Sequence, residues 1–241
     1  MIATTRLYLD DDHATETHAT VVAVAGDAFA CDRTCFYPGG GGQPSDRGAA
    51  RLVRGDVLTI AAVRVDADGV VWHVAAPAPP LDLAGQGVHL VLDRERRAAL
   101  ARYHTALHVL NTTALRHYDA WITGVQIDVG HARIDFKVDG FSPAMATELE
   151  ARVNAVLAAD RALRSYFLAE DEFRARGDLL RTLEARPPVV DGRVRVVEIE
   201  GFDAQACGGT HVRRTSEVGR LSIYRTENKG RINKRLYVRL T

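Results

Sequence analysis

The 241-residue chain has only three cysteines, Cys31, Cys35 and Cys207, too few and of the wrong parity for a disulfide framework. No apolar run approaches a bilayer span; Val21 to Ala25 and Ile60 to Val63 are among the longest. No basic-then-apolar leader opens the sequence, so the expectation is a reducing cytoplasm and no membrane. Net charge is also missing, because 31 basic residues cancel 31 acidic ones. Internal repeats and low-complexity tracts are absent. Its glycine run is followed by no Gly-Lys-Ser/Thr and lacks the GxGxxG register, which excludes both common phosphate-cradling motifs. What the chain does have is length and 46% hydrophobic residues, enough for one large domain or two small ones.

Two patterns divide it. Up to residue 92, short β-prone runs are separated by Gly-Asp, Asp-Gly and Gly/Pro turns: Thr5–Leu9, His18–Ala25, Phe29–Phe36, Ala49–Val53, Val57–Val65, Val70–Ala75 and Val88–Leu92. This predicts a small antiparallel barrel over residues 1–92. From Asp93, a capping residue, Leu100, Tyr103, Leu107, Leu110, Ala114 and Leu115 recur near the period of an amphipathic helix ending about Tyr118. Ser142-Pro143 starts a second helix running to about Ala159. Strands are expected at Gln126–Asp128, His131–Val138, Leu163–Leu168, Val194–Ile199, Gly219–Arg225 and Leu236–Leu240. Residues 93–241 are thus a second, α+β domain, an antiparallel sheet with helices on one face.

Charge is uneven along the chain. Between Arg213 and Thr241 nine basic residues face Glu217 and Glu227, a local excess of seven that the preceding 212 residues offset. Such a tail fits a docked polyanion, with solvated Arg-rich strands as the simpler alternative.

Three motifs carry chemistry. His104-Thr-Ala-Leu-His108 places two imidazoles one helical turn apart, on a single face, where they can share a metal ion. Thr105 stands where a zinc protease has its glutamate, which excludes that mechanism. Cys207-Gly-Gly-Thr-His211 offers a thiolate and an imidazole across a tight turn, and two His with Cys and His suit one zinc ion per chain. Phe36-Tyr-Pro-Gly-Gly-Gly-Gly-Gln43-Pro-Ser-Asp46 exposes main-chain N–H groups and ends on an amide. Cys31 and Cys35 read as ordinary core or edge residues.

Taken in order, FYPGGGGQPSDRG, HTALH, CGGTH and the basic VGRLSIYRTENKGRINKRLYVRL resemble the alanyl-tRNA editing family, freestanding AlaX-type proteins related to the editing region of alanyl-tRNA synthetase. The resemblance runs from about Phe29 to Leu240. It implies a barrel-like N-terminal domain joined to the α+β editing domain shared with threonyl-tRNA synthetase. It also implies hydrolysis, in trans, of the ester joining serine, or in related members glycine, to alanine-specific tRNA. The family's zinc ligands fall on His104, His108, Cys207 and His211, and its substrate-side motif on Gly40, Gly41, Gly42 and Gln43. Gly39 stands where many members carry threonine or another side chain.

Ester hydrolysis needs an activated water and a resting place for an oxyanion. Four protein ligands ordinarily close a zinc site, so either one ligand, His211 above all, yields to substrate, or zinc positions the substrate's amino group while water is activated elsewhere. Gln43 and Thr105 are the candidate catalytic side chains, able to pair the serine hydroxyl and so to reject alanine. Arg213, Arg214, Lys229, Arg231, Lys234 and Arg235 are the candidate tRNA phosphate contacts. Two rival classes are a non-catalytic zinc-stapled RNA-binding module and a small-molecule metalloenzyme of the ribosylhomocysteine-lyase kind.

Overall fold

The computed structural model describes residues 4–181, 187–230 and 232–241. The chain divides into two compact units, Met1–Gly40 with Pro44–Ala98, and Gly41–Gln43 with Ala99–Thr241.

The first unit carries strands β1 (Thr5–Arg6), β2 (Glu16–Ala25), β3 (Ala28–Cys31), β4 (Arg33–Thr34), β5 (Gly48–Leu52), β6 (Val57–Val65), β7 (Val71–Ala76) and β8 (Gly87–Leu92). Six of them close a barrel in the order β2-β3-β7-β6-β5-β8, every pairing antiparallel. Alternate residues, such as Ala19 and Val21 on β2 and Leu58 and Ile60 on β6, fill its interior. Two expected strands are shorter than the sequence predicts. Leu7–Leu9 form a 3-10 turn that buries Tyr8 and Leu9. The Phe29–Phe36 run breaks at Asp32, whose carboxylate accepts from Thr20 N at 2.8 Å; beyond it β4 pairs with β1 in parallel.

Helix α1 (Arg94–Tyr118) follows, with Asp93 Oδ1 accepting from Arg96 N at 3.0 Å as its cap. Then come β9 (Trp121–Ile127), β10 (Ala132–Lys137), α2 (Pro143–Ala158), β11 (Leu163–Ala169), α3 (Glu170–Arg174), β12 (Val189–Val190), β13 (Arg193–Ile199), β14 (Asp203–Ala206), β15 (Leu221–Asn228) and β16 (Asn233–Leu240). Ser142 caps α2 by accepting from Met145 N, with Pro143 at the first helical position.

These strands make two antiparallel sheets where the sequence predicts one: β15-β16-β10-β9, and β11-β13-β12 with β14 also on β13. Inward residues of the first sheet, Ile127, Ile134, Phe136, Leu236 and Val238, share a core with Leu100, Leu107 and Leu110 of α1 and Leu149 and Val153 of α2. α1 is buried on all sides from Tyr103 to Ala114, so its polar stripe of His104, Thr105, His108, Asn111, Thr112 and Thr113 lies inside the protein. No helix of the described residues is long and apolar enough to cross a membrane.

Candidate metal centre

A buried polar stripe must find partners or be costly, and the stripe on α1 divides into two groups that do so differently. Asn111 donates to Gln205 Oε1 at 2.9 Å, and Gln205 Nε2 donates to Thr112 Oγ1 at 3.1 Å and to Asp203 Oδ2 at 2.7 Å. Asp203 is in turn paired with Arg181. Thr113 bonds back to Val109 O at 2.7 Å. That group is a closed network.

His104 and His108 instead face the loop after β14. The ligand atoms of His104, His108, Cys207 and His211 all lie within 4.8 Å of one another. Cys207 Sγ is 3.5 Å from His104 Nε2 and 3.4 Å from His211 Nε2. Tetrahedral zinc with ordinary Zn–S and Zn–N bonds requires S···N edges of about 3.6 Å, so the two contacts match the edges of such a site. The three imidazoles are almost fully buried and Cys207 half-buried.

Electrostatics agree with the donor set. Burial drives all three imidazoles towards the neutral form that offers a lone pair. For His104 burial leads, followed by the charges at His108 and Arg195, and its pKa falls well below the usual histidine range. Burial, then Arg181 and Arg195, lowers His108 to about 3. Burial and the neighbouring His108, His104 and Arg195 hold His211 well below the usual range.

The surroundings fix ring orientation. Gln43 Oε1 receives Thr210 N at 3.2 Å and lies 2.7 Å from His104 Nδ1, while Gln43 Nε2 donates to Thr210 Oγ1 at 2.9 Å. Because a main-chain N–H only donates, the Gln43 oxygen must be the atom at Thr210 N. His104 then carries its proton on Nδ1 and turns the Nε2 lone pair to the centre. Thr105 Oγ1 pairs with His211 Nδ1 at 3.1 Å and accepts from Val212 N at 3.3 Å, fixing the orientation of the opposite ring. His108 Nδ1 is buried with no hydrogen-bond partner. Orienting partners on the second ring nitrogen are what metal-binding histidines ordinarily have.

Glycine is required where backbones crowd. A Cβ on Gly209 would lie 2.2 Å from His104 Cε1 and 3.0 Å from Gln43 Oε1. A Cβ on Gly42 would lie 2.6 Å from Val125 O of β9, where Gly42 O accepts from Ile127 N at 2.8 Å. Gly39, Gly40, Gly41 and Gly42 all have positive φ, a run that only glycines sustain without strain. The Gly40 carbonyl accepts from Tyr37 OH at 3.0 Å.

Two residues that the sequence does not single out complete the centre, Thr210 and Arg195, and a third, Gln205, ties together the neighbouring network. Arg195 is 4% exposed on β13 and donates to Cys207 O at 3.1 Å and Gly209 O at 2.9 Å, bracing the loop that carries the thiol. A lone arginine inside the apolar run Val194 to Val197 was its one visible signal.

The basic candidates are spread more widely. Arg213 and Lys229 are exposed, and Lys234 bonds Asn228. Arg214 is paired with Asp160 at 2.7 Å and Arg235 with Asp135 at 2.6 Å. Arg231 lies outside the described residues.

Residues 194–237, from β13 through the Cys207–His211 loop into β16, match the family described as the threonyl and alanyl tRNA synthetase second additional domain. That match puts this stretch of the chain, with the Cys207–His211 half of the site, in the class of the threonyl and alanyl tRNA synthetase second additional domain. Over 97% of its length the chain is 33% identical to the alanyl-tRNA editing protein AlaX-M of Saccharolobus solfataricus, covering 98% of that protein. It is 34% identical to the AlaX-M protein of Methanosarcina acetivorans, over 97% of this chain and 98% of that one. It is also 39% identical to the alanine–tRNA ligase of Thermofilum pendens, over 90% of this chain but only 24% of the ligase. The chain belongs to the alanyl-tRNA editing protein family, related to the corresponding region of alanine–tRNA ligases.

Proposed function

We propose that the protein is a zinc-dependent aminoacyl-tRNA deacylase acting in trans in the cytoplasm, which hydrolyses Ser-tRNA(Ala), and Gly-tRNA(Ala) where it forms. In the reaction water cleaves the ester, giving free amino acid and a tRNA with its terminal hydroxyl restored. The observation that carries this reading is the convergence of His104, His108, Cys207 and His211, from two distant stretches of chain, at metal-ligand spacing, in a chain of the editing family. These four would hold the ion. Zinc supplies a Lewis acid able to polarise a carbonyl, to orient an amino group or to lower the pKa of water.

The chain's own side chains do the positioning. Gln43 and Thr105, both engaged at ring nitrogens, hold His104 and His211 and act on the reaction through them. The main-chain groups of Gly41 and Gly42, beside Gln43, form the substrate side and pair the serine hydroxyl, leaving their own hydrogen-bonding capacity unmet when alanine enters. Arg213, Lys229 and Lys234 meet tRNA phosphates directly. Arg214 and Arg235 do so by exchanging Asp160 and Asp135 for phosphate.

One observation favours a second reading: four protein ligands are also the set of a closed, structural zinc site. Deacylation assays on Ser-, Gly- and Ala-charged tRNA(Ala), with zinc measured on the same sample, separate the two. The deacylase releases serine and spares Ala-tRNA. A zinc-loaded, folded protein that leaves all three intact is a non-catalytic tRNA-binding module.

A further inference from the structure

The sheet β15-β16-β10-β9 buries one face, with Ile134, Leu236 and Val238 directed into the core. Alternation turns Arg133 and Asp135 of β10, and Arg235, Tyr237 and Arg239 of β16, to the other face. β15 departs from that alternation once. Its register shifts between Ile223, opposite Val238, and Arg225, opposite Tyr237, so Tyr224 is an extra residue in the ladder. A bulge of this kind re-aims a side chain, and Tyr224 stands 41% exposed.

The exposed rings and cations form one cluster. Arg239 lies over the Tyr224 ring at 4.3 Å, Arg225 over the Tyr237 ring at 5.0 Å, and the two tyrosine centroids are 6.1 Å apart. Arg133 sits across from Tyr237 on the neighbouring strand. On this face Arg133, Arg225, Arg235 and Arg239, with Lys137 at the end of β10, outnumber Asp135 and Glu227, in a chain whose overall charge is zero. The aliphatic side chains of β16 point inward, so the surface offers aromatic planes and guanidinium groups in place of an apolar protein-binding core. At its far edge, three strand spacings or roughly 14 Å from β15, the same sheet ends on β9, which receives Gly42 alongside it.

From this surface we infer that the outer face of β15 and β16 is an RNA-binding platform, on which Tyr224 stacks an unpaired base of the tRNA while Arg225 and Arg239 meet its phosphates. Sequence-tolerant stacking beside a basic surface is how proteins hold single-stranded nucleic acid. This rests on the tRNA reading given under the proposed function and adds where the tRNA is held.

The test is anisotropy titration of labelled, uncharged tRNA(Ala) over a salt series, with steady-state deacylation of Ser-tRNA(Ala) alongside. Tyr224→Ala is expected to weaken tRNA binding about tenfold, Tyr224→Phe to bind as the wild type does. Arg225→Ala with Arg239→Ala should flatten the log–log salt slope by about 1.4 to 1.8. In all weakened variants KM should rise while kcat and zinc content hold. Unchanged affinity and slope in these variants, with wild-type binding intact, overturn the platform and leave the editing reading standing. Variants that keep tRNA but lose an acidic peptide bound by the wild type assign the face to a protein partner and also overturn it. A wild-type protein with no affinity for tRNA overturns both.

Discussion

Gln43 stands at the meeting point of both halves of the metal centre, since its one amide touches His104 and both the N–H and the hydroxyl of Thr210. Gln43→Ala is therefore expected to lower zinc affinity by about 10- to 100-fold in chelator competition, and deacylation with it. Unchanged affinity would leave the amide free to act on substrate directly. At Gly209 the constraint is steric. Gly209→Ala should displace His104 and give a folded protein with little bound zinc. The sequence made Gln43 conspicuous by placing it after four glycines, but no sequence pattern shows that both ends of its amide are occupied, because its partner Thr210 is 167 positions away. In the barrel, His73 supplies a pH prediction. Fully buried and bonded to Thr34 Oγ1 at 2.8 Å, it is lowered by burial to about 4. The unfolded chain takes up its proton below about 6.5 and the folded one does not until about 4, so the stability it contributes is complete above pH 6.5 and lost as pH falls towards 4. The loss is on the order of 3 kcal/mol. Denaturant titrations at pH 7 and pH 4.5 should show His73→Gln less sensitive to acid than the wild type.

Among the elements, α1 shows how far periodicity reaches. Its apolar spacing announced a helix with one buried face, and the helix is there from Arg94 to Tyr118. Its polar face is buried as well, which spacing cannot reveal, because that depends on β13, β14 and the Cys207 loop arriving from more than 80 residues away. β14 itself, Asp203–Ala206, escaped notice because Asp-Ala-Gln-Ala has little strand propensity and is held by its pairing to β13. α3 is a single turn, too short for periodicity to register. At the start of α1, Arg97 is buried in a bidentate pair with Asp46 and also donates to Cys35 O at 2.7 Å, while Tyr37 N donates to Asp46 Oδ2 at 2.6 Å. Asp46→Ala leaves that guanidinium uncompensated and should cost about 3–5 kcal/mol in urea unfolding. A change under 1 kcal/mol would mean the barrel accommodates the lone charge.

For the molecule as a whole, alternating short runs and the change of period near Asp93 conveyed the architecture, a barrel followed by an α+β region. The number of sheets did not show, since strand order depends on pairings over long separations. The basic excess between Arg213 and Thr241 was legible despite the zero net charge, but that Tyr224, Arg225, Tyr237 and Arg239 cluster on β15 and β16 shows only once the two strands are laid side by side. The proposed function depends, at this scale, on the four residues His104, His108, Cys207 and His211 serving a single ion and a single ester. The most direct measurement is Ser-tRNA(Ala) deacylation by wild-type protein and by Cys207→Ala, with zinc determined on each preparation. The expected result is one zinc per chain and rapid serine release for the wild type, with both lost in Cys207→Ala. Full deacylation by a metal-free preparation, or by Cys207→Ala, would contradict it.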